Sequence, residues 1–207
     1  QPSYRKWVNE KDNGISDAFN KGIRLAAGNV LNMLNSGDCY ENPSVLQLIT
    51  RCFETDPAIE WLHGKCETIR GGRAVVVGKA FDPQKLYRGM RSVWHQTIFI
   101  KKHLHEKYGV YDVTLNIAMD YDLICRIAEE PFFFIEKTLV VFAPGGVSQQ
   151  KYLDSLQQMR EVYSRYFPVT WKLKLWQTRL TILYYLLQSP AGKWLYSIKS
   201  KLGLENF

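Results

Sequence analysis

The chain has 207 residues, of which 46% are hydrophobic and 14% aromatic, and a formal net charge of +7. That composition excludes a disordered or low-complexity polypeptide and suits one good core, or one domain with an appendage. The charge is uneven: residues 1–150 hold 18 Lys and Arg against 17 Asp and Glu, whereas residues 151–207 hold 9 against 3, so the tail carries the basicity.

The chain starts at Gln1 with nothing resembling a signal peptide or a complete first βα unit before it, which predicts an N-terminally truncated piece. Residues 14–28, GISDAFNKGIRLAAG, read as a short helix. Ser16 or Asp17 is the expected cap and Gly28 the expected stop. Gly22 inside it costs roughly 1 kcal/mol against Ala, which points to close backbone packing or a nearby ligand. Residues 29–38, NVLNMLNSGD, follow as a short buried strand that ends in a polar turn on a carboxylate, the place where open α/β sheets hold phosphates and metals. Asn42-Pro43 opens a second helix whose Val45, Leu46, Ile49, Cys52 and Phe53 share one buried side.

Residues 59–63 and 73–78 predict strands joined by a Gly71-Gly72 turn, and residues 95–100 a further strand running into a helix over 101–108. A helix is expected over 119–129, with Leu123 and Ile127 on one stripe, then strands over 132–135 and 139–142 before Pro144, Gly145 and Gly146 break the chain. From Tyr152 onward the sequence turns to helices rich in Leu, Trp, Tyr and Lys, placing a boundary near residue 150 between residues 1–150 and a basic aromatic helical tail, 151–207. The uncharged stretch Leu180 to Ser189, which ends before Pro190, is ten residues, about half of what a spanning helix needs. The tail's tryptophans and tyrosines favour peripheral contact with an anionic membrane over nucleic acid, with plain helical packing on the core as the alternative, and Lys172 and Arg179 share a helical stripe with Trp176 and Leu183 and blur the pattern.

Cys39, Cys52, Cys66 and Cys125 include no CxxC pair and read as reduced, mostly buried thiols of the cytosol. His103 and His105, two apart, face different sides of a helix and make a poor metal pair. No P-loop, dinucleotide fingerprint, nucleophile elbow or HExxH occurs, which argues against those chemistries.

Four blocks in order carry a resemblance: NEKDNGISDAFNKGI, LNSGD, WHQTIFIKK, and AMDYDLICRIA followed by PGGVS. Across residues 9–148 they resemble a family 2 glycosyltransferase. The resemblance implies an α/β, GT-A-like (Rossmann-related) mixed sheet flanked by helices, with the first βα unit missing and a C-terminal helical extension. It also implies inverting transfer of a sugar from a nucleotide-diphosphate donor to a saccharide or lipid-linked saccharide hydroxyl. The setting it implies is envelope polysaccharide synthesis, in the cytoplasm or peripherally at the inner face of the plasma membrane.

On this resemblance Asp38 is the last carboxylate of a DxD-type motif and the ligand of a divalent metal, Mg or Mn, that neutralises the departing diphosphate. Asn35 and Ser36 stand where many relatives have acids. Asp17, Asn20 and Lys21 fall on the donor-binding segment, although an exposed Asp17–Lys21 pair explains two of them equally, and Asp12 either contacts donor or caps its turn. Asp120 matches the general base, with helix capping as the plain alternative, and Asp122 is an orienting acid that also has Arg126 at i,i+4. His95 and Gln96 match a segment beside the acceptor cleft, and Gly145, Gly146 and Ser148 a mobile loop near the site. The reading from a different class is a non-catalytic nucleotide-sugar-binding or scaffold protein that keeps the fold.

Overall fold

A computed structural model describes residues 6, 8–70, 72–143, 151–190, 192 and 194. A six-stranded mixed sheet forms its centre. The strands are β1 (Val30–Leu31), β2 (Cys39–Tyr40), β3 (Trp61–Arg70), β4 (Arg73–Val77), β5 (Phe99–Lys101) and β6 (Phe132–Phe142). Their order is β1-β5-β3-β6-β2, with β4 on the far half of β3. Strand β3 is the spine: it pairs antiparallel with β5 and then with β4 along one edge, and parallel with β6 along the other.

Alternation of side chains sorts the core into two layers. Trp61 and Ile100 point to a layer shared with Ile23, Leu104, Tyr121 and Ile124, whereas Leu62 and Phe99 join Val45, Ile49, Leu139 and Val140 on the other face. Helix α2 (Val45–Thr55) covers this second face. Helices α1 (Ile15–Leu25), α3 (Lys102–Tyr108) and α4 (Met119–Arg126) contribute to the first. Helix α5 (Tyr152–Tyr166) reaches it too: Val162 is fully buried there, with Met159, Tyr163 and Phe167 against it. The tail beyond residue 150 thus begins inside the main core. Helix α6 (Trp171–Gln188) rests on the 3₁₀ turn Pro83–Arg88 and leaves much of its surface uncovered.

Several boundaries differ from expectation for visible reasons. Helix α1 ends at Leu25, where the Ala26 N–H closes on the Gly22 carbonyl, three residues ahead of the last turn expected at Gly28. Its N-cap is Gly14, and Asp17 instead reaches back to accept the Asn13 N–H at 3.0 Å, while the Ser16 hydroxyl turns inward to the Leu115 carbonyl. The strand expected over 29–38 is only β1, because Asn32 leaves the ladder to bond the Gln96 and Ile98 carbonyls at 2.9 and 2.8 Å. Residues 95–97 form a 3₁₀ turn rather than strand, closed by the Thr97 N–H and hydroxyl on the Trp94 carbonyl.

The two strands expected over 132–142 are one. Gly64 pairs with Ile135 and Lys65 with Thr138, so Glu136 and Lys137 bulge out of the ladder. Lys65 then meets Glu136 at 3.0 Å. A side chain at Gly64 would collide with Leu139, its Cβ arriving 2.6 Å from Cδ1, which reserves that position for glycine. The 3₁₀ turn Pro83–Arg88 was unforeseen, although Asp82-Pro83 is a legible start: Asp82 accepts the Gln84 N–H at 3.0 Å.

Two core histidines set an acid limit on stability. His63 is wholly buried between Trp61 and Phe134, accepts the Phe81 N–H at Nε2, and burial pushes it down to about 4; burial does the same to His105. Their ordinary value, 6.5, belongs to the unfolded chain, which therefore binds more protons between 6.5 and 4. Stability contributed by the neutral rings is complete above that window and is lost as pH falls through it. Urea midpoints should drop from pH 7.5 to pH 5, with a shallower slope in His63→Gln; an unchanged slope would show that His63 is not held neutral.

Candidate active site

Three segments are joined by direct contacts: the turn between β1 and β2, the 3₁₀ turn before β5, and the start of α4. Asp120, the second residue of α4, places Oδ2 3.3 Å from His95 Nδ1. Asn35 Nδ2 lies 3.1 Å from His95 Nε2. An amide donor at Nε2 makes that atom the acceptor, so the ring proton sits on Nδ1, facing Asp120. Asp38 joins this chain through its backbone, its N–H bonding the Asn35 carbonyl at 3.1 Å.

Asp38 follows Gly37, whose φ of 93° is open to glycine, and a Cβ there would press within 3.2 Å of Ala143. The Asp38 carboxylate accepts the Ala143 N–H through Oδ1 at 3.1 Å, tying the turn to the end of β6, while Oδ2 is shielded and has no partner among the described residues. Trp94, beside His95, packs on Phe142 at 5.5 Å. Asp120 Oδ1 is likewise shielded and unpartnered. Burial holds the Asp120 carboxyl above its ordinary range, with His95 pulling the other way. A shielded, unpaired carboxylate oxygen costs of order 1–3 kcal/mol or more, and two of them on one linked chain of contacts are what a site awaiting substrate displays.

The donor set also bears on a metal. Among the described residues no group of three or more His, Cys, Asp or Glu side chains encloses a cation site. A hard cation that keeps its waters and substrate phosphates needs only one or two protein carboxylates, and the free Oδ2 of Asp38 fits that role.

Other predicted residues sit elsewhere. Asn20 is buried, with both amide atoms spent on the Tyr111 backbone: Nδ2 donates to its carbonyl at 2.8 Å and Oδ1 accepts its N–H at 2.9 Å. It clamps α1 to the segment before α4. Lys21 gathers Glu10, Asp12 and Asp17 at 2.8, 2.9 and 3.4 Å, which raises its ammonium's pKa, and the Asn13 N–H and Lys21 lower that of Asp17. These three predicted donor residues occupy one another at the surface.

Asp122 is 2% exposed and points to α5, accepting from Arg126 Nε and Nη2 at 3.0 and 2.9 Å and from the Tyr166 hydroxyl at 2.8 Å. These contacts tie α4 to α5. Ser36 is exposed in the turn, and Gln96 is buried with its side-chain oxygen unpartnered beneath His95. Gly145, Gly146 and Ser148 lie outside the described residues.

Sequence reasoning missed Asn32 and Phe19. Asn32 fastens β1 to the His95 turn and accepts from the Tyr40 hydroxyl at 2.9 Å, and Phe19 packs 6.2 Å from the His95 ring. The three-residue repeat of Asn29, Asn32 and Asn35 is the signal that could have exposed Asn32. A polar cleft of about 340 Å³ opens beside the α4 N-terminus, lined by Asn116, Lys151, Asp154, Gln157, Gln158 and Glu161. Gln158 accepts the Ile117 and Ala118 N–H groups at 3.1 and 3.2 Å and so holds the residues that lead into α4.

No family model matches the chain. An uncharacterized glycosyltransferase of Mycobacterium tuberculosis is 30% identical over 173 residues, covering 80% of this chain and 66% of the relative. A PGL/p-HBAD biosynthesis glycosyltransferase of Mycobacterium bovis is 28% identical over 144 residues, covering 67% of this chain and 55% of that protein. The chain thus spans just under two thirds of the first relative's length and about half of the second's. In fold it is similar to S. aureus TarS, with a TM-score of 0.54 at 11% identity over 79% of this chain and 49% of that one. It is also similar to the mannosyltransferase PcManGT of Pyrobaculum calidifontis, solved with GDP-Man and Mn²⁺, with a TM-score of 0.52 at 13% identity over 93% of this chain and 61% of that one. The chain is therefore a glycosyltransferase homologue with a GT-A-like α/β fold.

Proposed function

We propose that the protein transfers a sugar, with inversion, from a nucleotide-diphosphate donor to a hydroxyl of a saccharide or lipid-linked saccharide in envelope polysaccharide synthesis. The observation that carries this reading is the pair of free carboxylate oxygens, Asp38 Oδ2 and Asp120 Oδ1, on segments joined through Asn35 and His95. Asp120 Oδ1 accepts the acceptor hydroxyl's proton as that oxygen bonds to the anomeric carbon. The bond from that carbon to the diphosphate breaks on the opposite side, and the nucleoside diphosphate leaves with the electron pair. A divalent cation held by Asp38 supplies neutralisation of the charge gathering on the leaving group. His95, anchored by Asn35, keeps the Asp120 carboxylate turned toward the site, and the cleft along Gln157 and Gln158 suits a hydroxyl-rich acceptor.

The GDP-Man and Mn²⁺ of one structural neighbour, and the UDP in a TarS complex, support a nucleotide donor and a divalent ion. The PGL/p-HBAD relative and the basic tail support a membrane-side setting, with the tail from residue 151 as the element that meets the inner leaflet. Among the described residues no helix is long and apolar enough to cross a bilayer.

Calorimetric titration with UDP and GDP, with and without Mn²⁺, tests the donor half. Nucleotide binding should strengthen with Mn²⁺, and Asp38→Ala should remove at least about tenfold of that affinity, the scale on which loss of a metal-site group is felt. Nucleotide affinity indifferent to both Mn²⁺ and the substitution would favour a binding protein that retains the fold. The absence of any nucleotide binding would favour a scaffold.

A further inference from the structure

Trp176 of α6 is surrounded by positive charge. The guanidinium carbons of Arg88, Arg91 and Arg179 lie 5.2, 5.4 and 5.4 Å from its ring centroid. Two arrive from the 3₁₀ turn and the residue stretch after it, the third from α6 itself, so the cluster exists only in the folded chain. Among the described residues no carboxylate comes within ion-pair distance of any of the three. Arg88 Nε donates to the neighbouring Tyr87 hydroxyl, and the shielded indole Nε1 has no acceptor. The π-face attracts each cation, but no carboxylate among the described residues offsets their mutual repulsion. Guanidinium groups gathered without a counterion suit the planar-fork recognition of phosphate or carboxylate oxygens.

The same helix is apolar on two opposite sides. Leu173 and Leu180 are buried against the protein, whereas Trp171, Leu175, Ile182 and Leu186, spaced by four, seven and four residues, are 69%, 61%, 54% and 57% exposed. That spacing puts the four on one stripe. Lys172 and Arg179 border the stripe on the side toward Trp176, and Lys174 borders it on the other. A second copy of the chain docking there would bring two such cationic clusters together and be repelled. Nucleic acid would satisfy the arginines and leave the stripe wet. A partner that is anionic and apolar at once satisfies both.

We propose that Arg88, Arg91 and Arg179 around Trp176 form a lipid-phosphate clamp, which seats the exposed stripe of α6 on an anionic bilayer. The four apolar side chains enter the boundary between headgroups and acyl chains while the arginines hold phosphates at its edge. This gives the membrane contact proposed above a defined surface. It rests on that contact and not on the transfer chemistry.

Flotation of the full chain with phosphatidylcholine vesicles, with or without phosphatidylglycerol, tests the clamp. Wild-type protein should float with the anionic vesicles and far less with the neutral ones. Arg91 and Arg179 are exposed, so R91Q/R179Q keeps the fold, and it should partition about 25-fold more weakly, at roughly fivefold per basic residue. R24Q/R51Q removes equal charge from α1 and α2 and should partition like wild type. L175S/I182S should weaken flotation at high salt, where the apolar part dominates. Equal flotation on neutral vesicles, or wild-type flotation of R91Q/R179Q, would overturn the clamp. Salt-steep retention on single-stranded DNA without vesicle binding would replace the lipid by nucleic acid. Manganese-dependent nucleotide binding, unchanged in R91Q/R179Q, reports separately on the donor site.

Discussion

Replacing Asp120 by Asn should lower turnover by about 10²- to 10⁴-fold, the usual contribution of a positioned general base, while leaving nucleotide affinity near its wild-type value. The same substitution should raise, not lower, the urea midpoint at neutral pH. The Asp120 carboxyl is held above its ordinary value by burial. Between the unfolded and folded pKa values the native state therefore binds more protons, and stability falls as pH rises through that window. At neutral pH the ionised, partly unpartnered carboxylate is a cost that an amide of the same shape removes. If Asp120 merely capped α4, its loss would destabilise the protein and spare turnover. The combination of slower transfer and higher stability thus separates the two roles.

His95 supplies a pH-dependent companion result. It pulls the Asp120 carboxyl down against the effect of burial. In His95→Gln that pull is gone, so the carboxyl titrates at higher pH and the acid limb of kcat/KM should move upward. Activity above the limb should be reduced far less than in Asp120→Asn, because Oδ1 remains available. A pH profile that does not move would show that the 3.3 Å contact carries no electrostatic coupling.

What the sequence revealed and what it hid follow from the range of the forces involved. The strand holding Trp61 and Leu62 was legible as a local apolar run between breakers, whereas the sorting of these two residues into opposite layers appears only in the structure. The convergence of LNSGD, WHQTIFIKK and AMDYDLICRIA was legible as order and spacing, and the structure brings Asn35, His95 and Asp120 into one chain of contacts. The contacts made by the donor candidates on α1 were hidden because they depend on partners distant in sequence. Asn20 is consumed by the Tyr111 backbone 91 residues away, and nothing within its own helix announces this. The bulge at Glu136-Lys137 was misread as a break between strands because two charged residues in an apolar run look alike in either case; only the partner strand's register distinguishes them. The arginine cluster around Trp176 joins residues 88, 91, 176 and 179, and it was invisible for the same reason.

Asp122→Ala should be the most destabilising of the acidic-residue substitutions, by about 3–5 kcal/mol, the range for breaking a buried ion pair from one side. The carboxylate is 2% exposed and holds two Arg126 nitrogens and the Tyr166 hydroxyl. Arg126 in turn donates to the Gly109 and Val110 carbonyls at 2.8 and 3.1 Å. Removing the acid leaves a guanidinium 12% exposed in its side chain without a counter-charge, and unties α5 from α4 at the point where α4 also carries Asp120. Urea denaturation should show this loss in Asp122→Ala, and a double-mutant cycle with Tyr166→Phe should return a coupling of about 0.5–3 kcal/mol, as for residues in one network. Turnover of the fraction that remains folded should fall far less than in Asp120→Asn. If Asp122→Ala were instead as stable as wild type but inactive, the roles of the two acids would have to be exchanged.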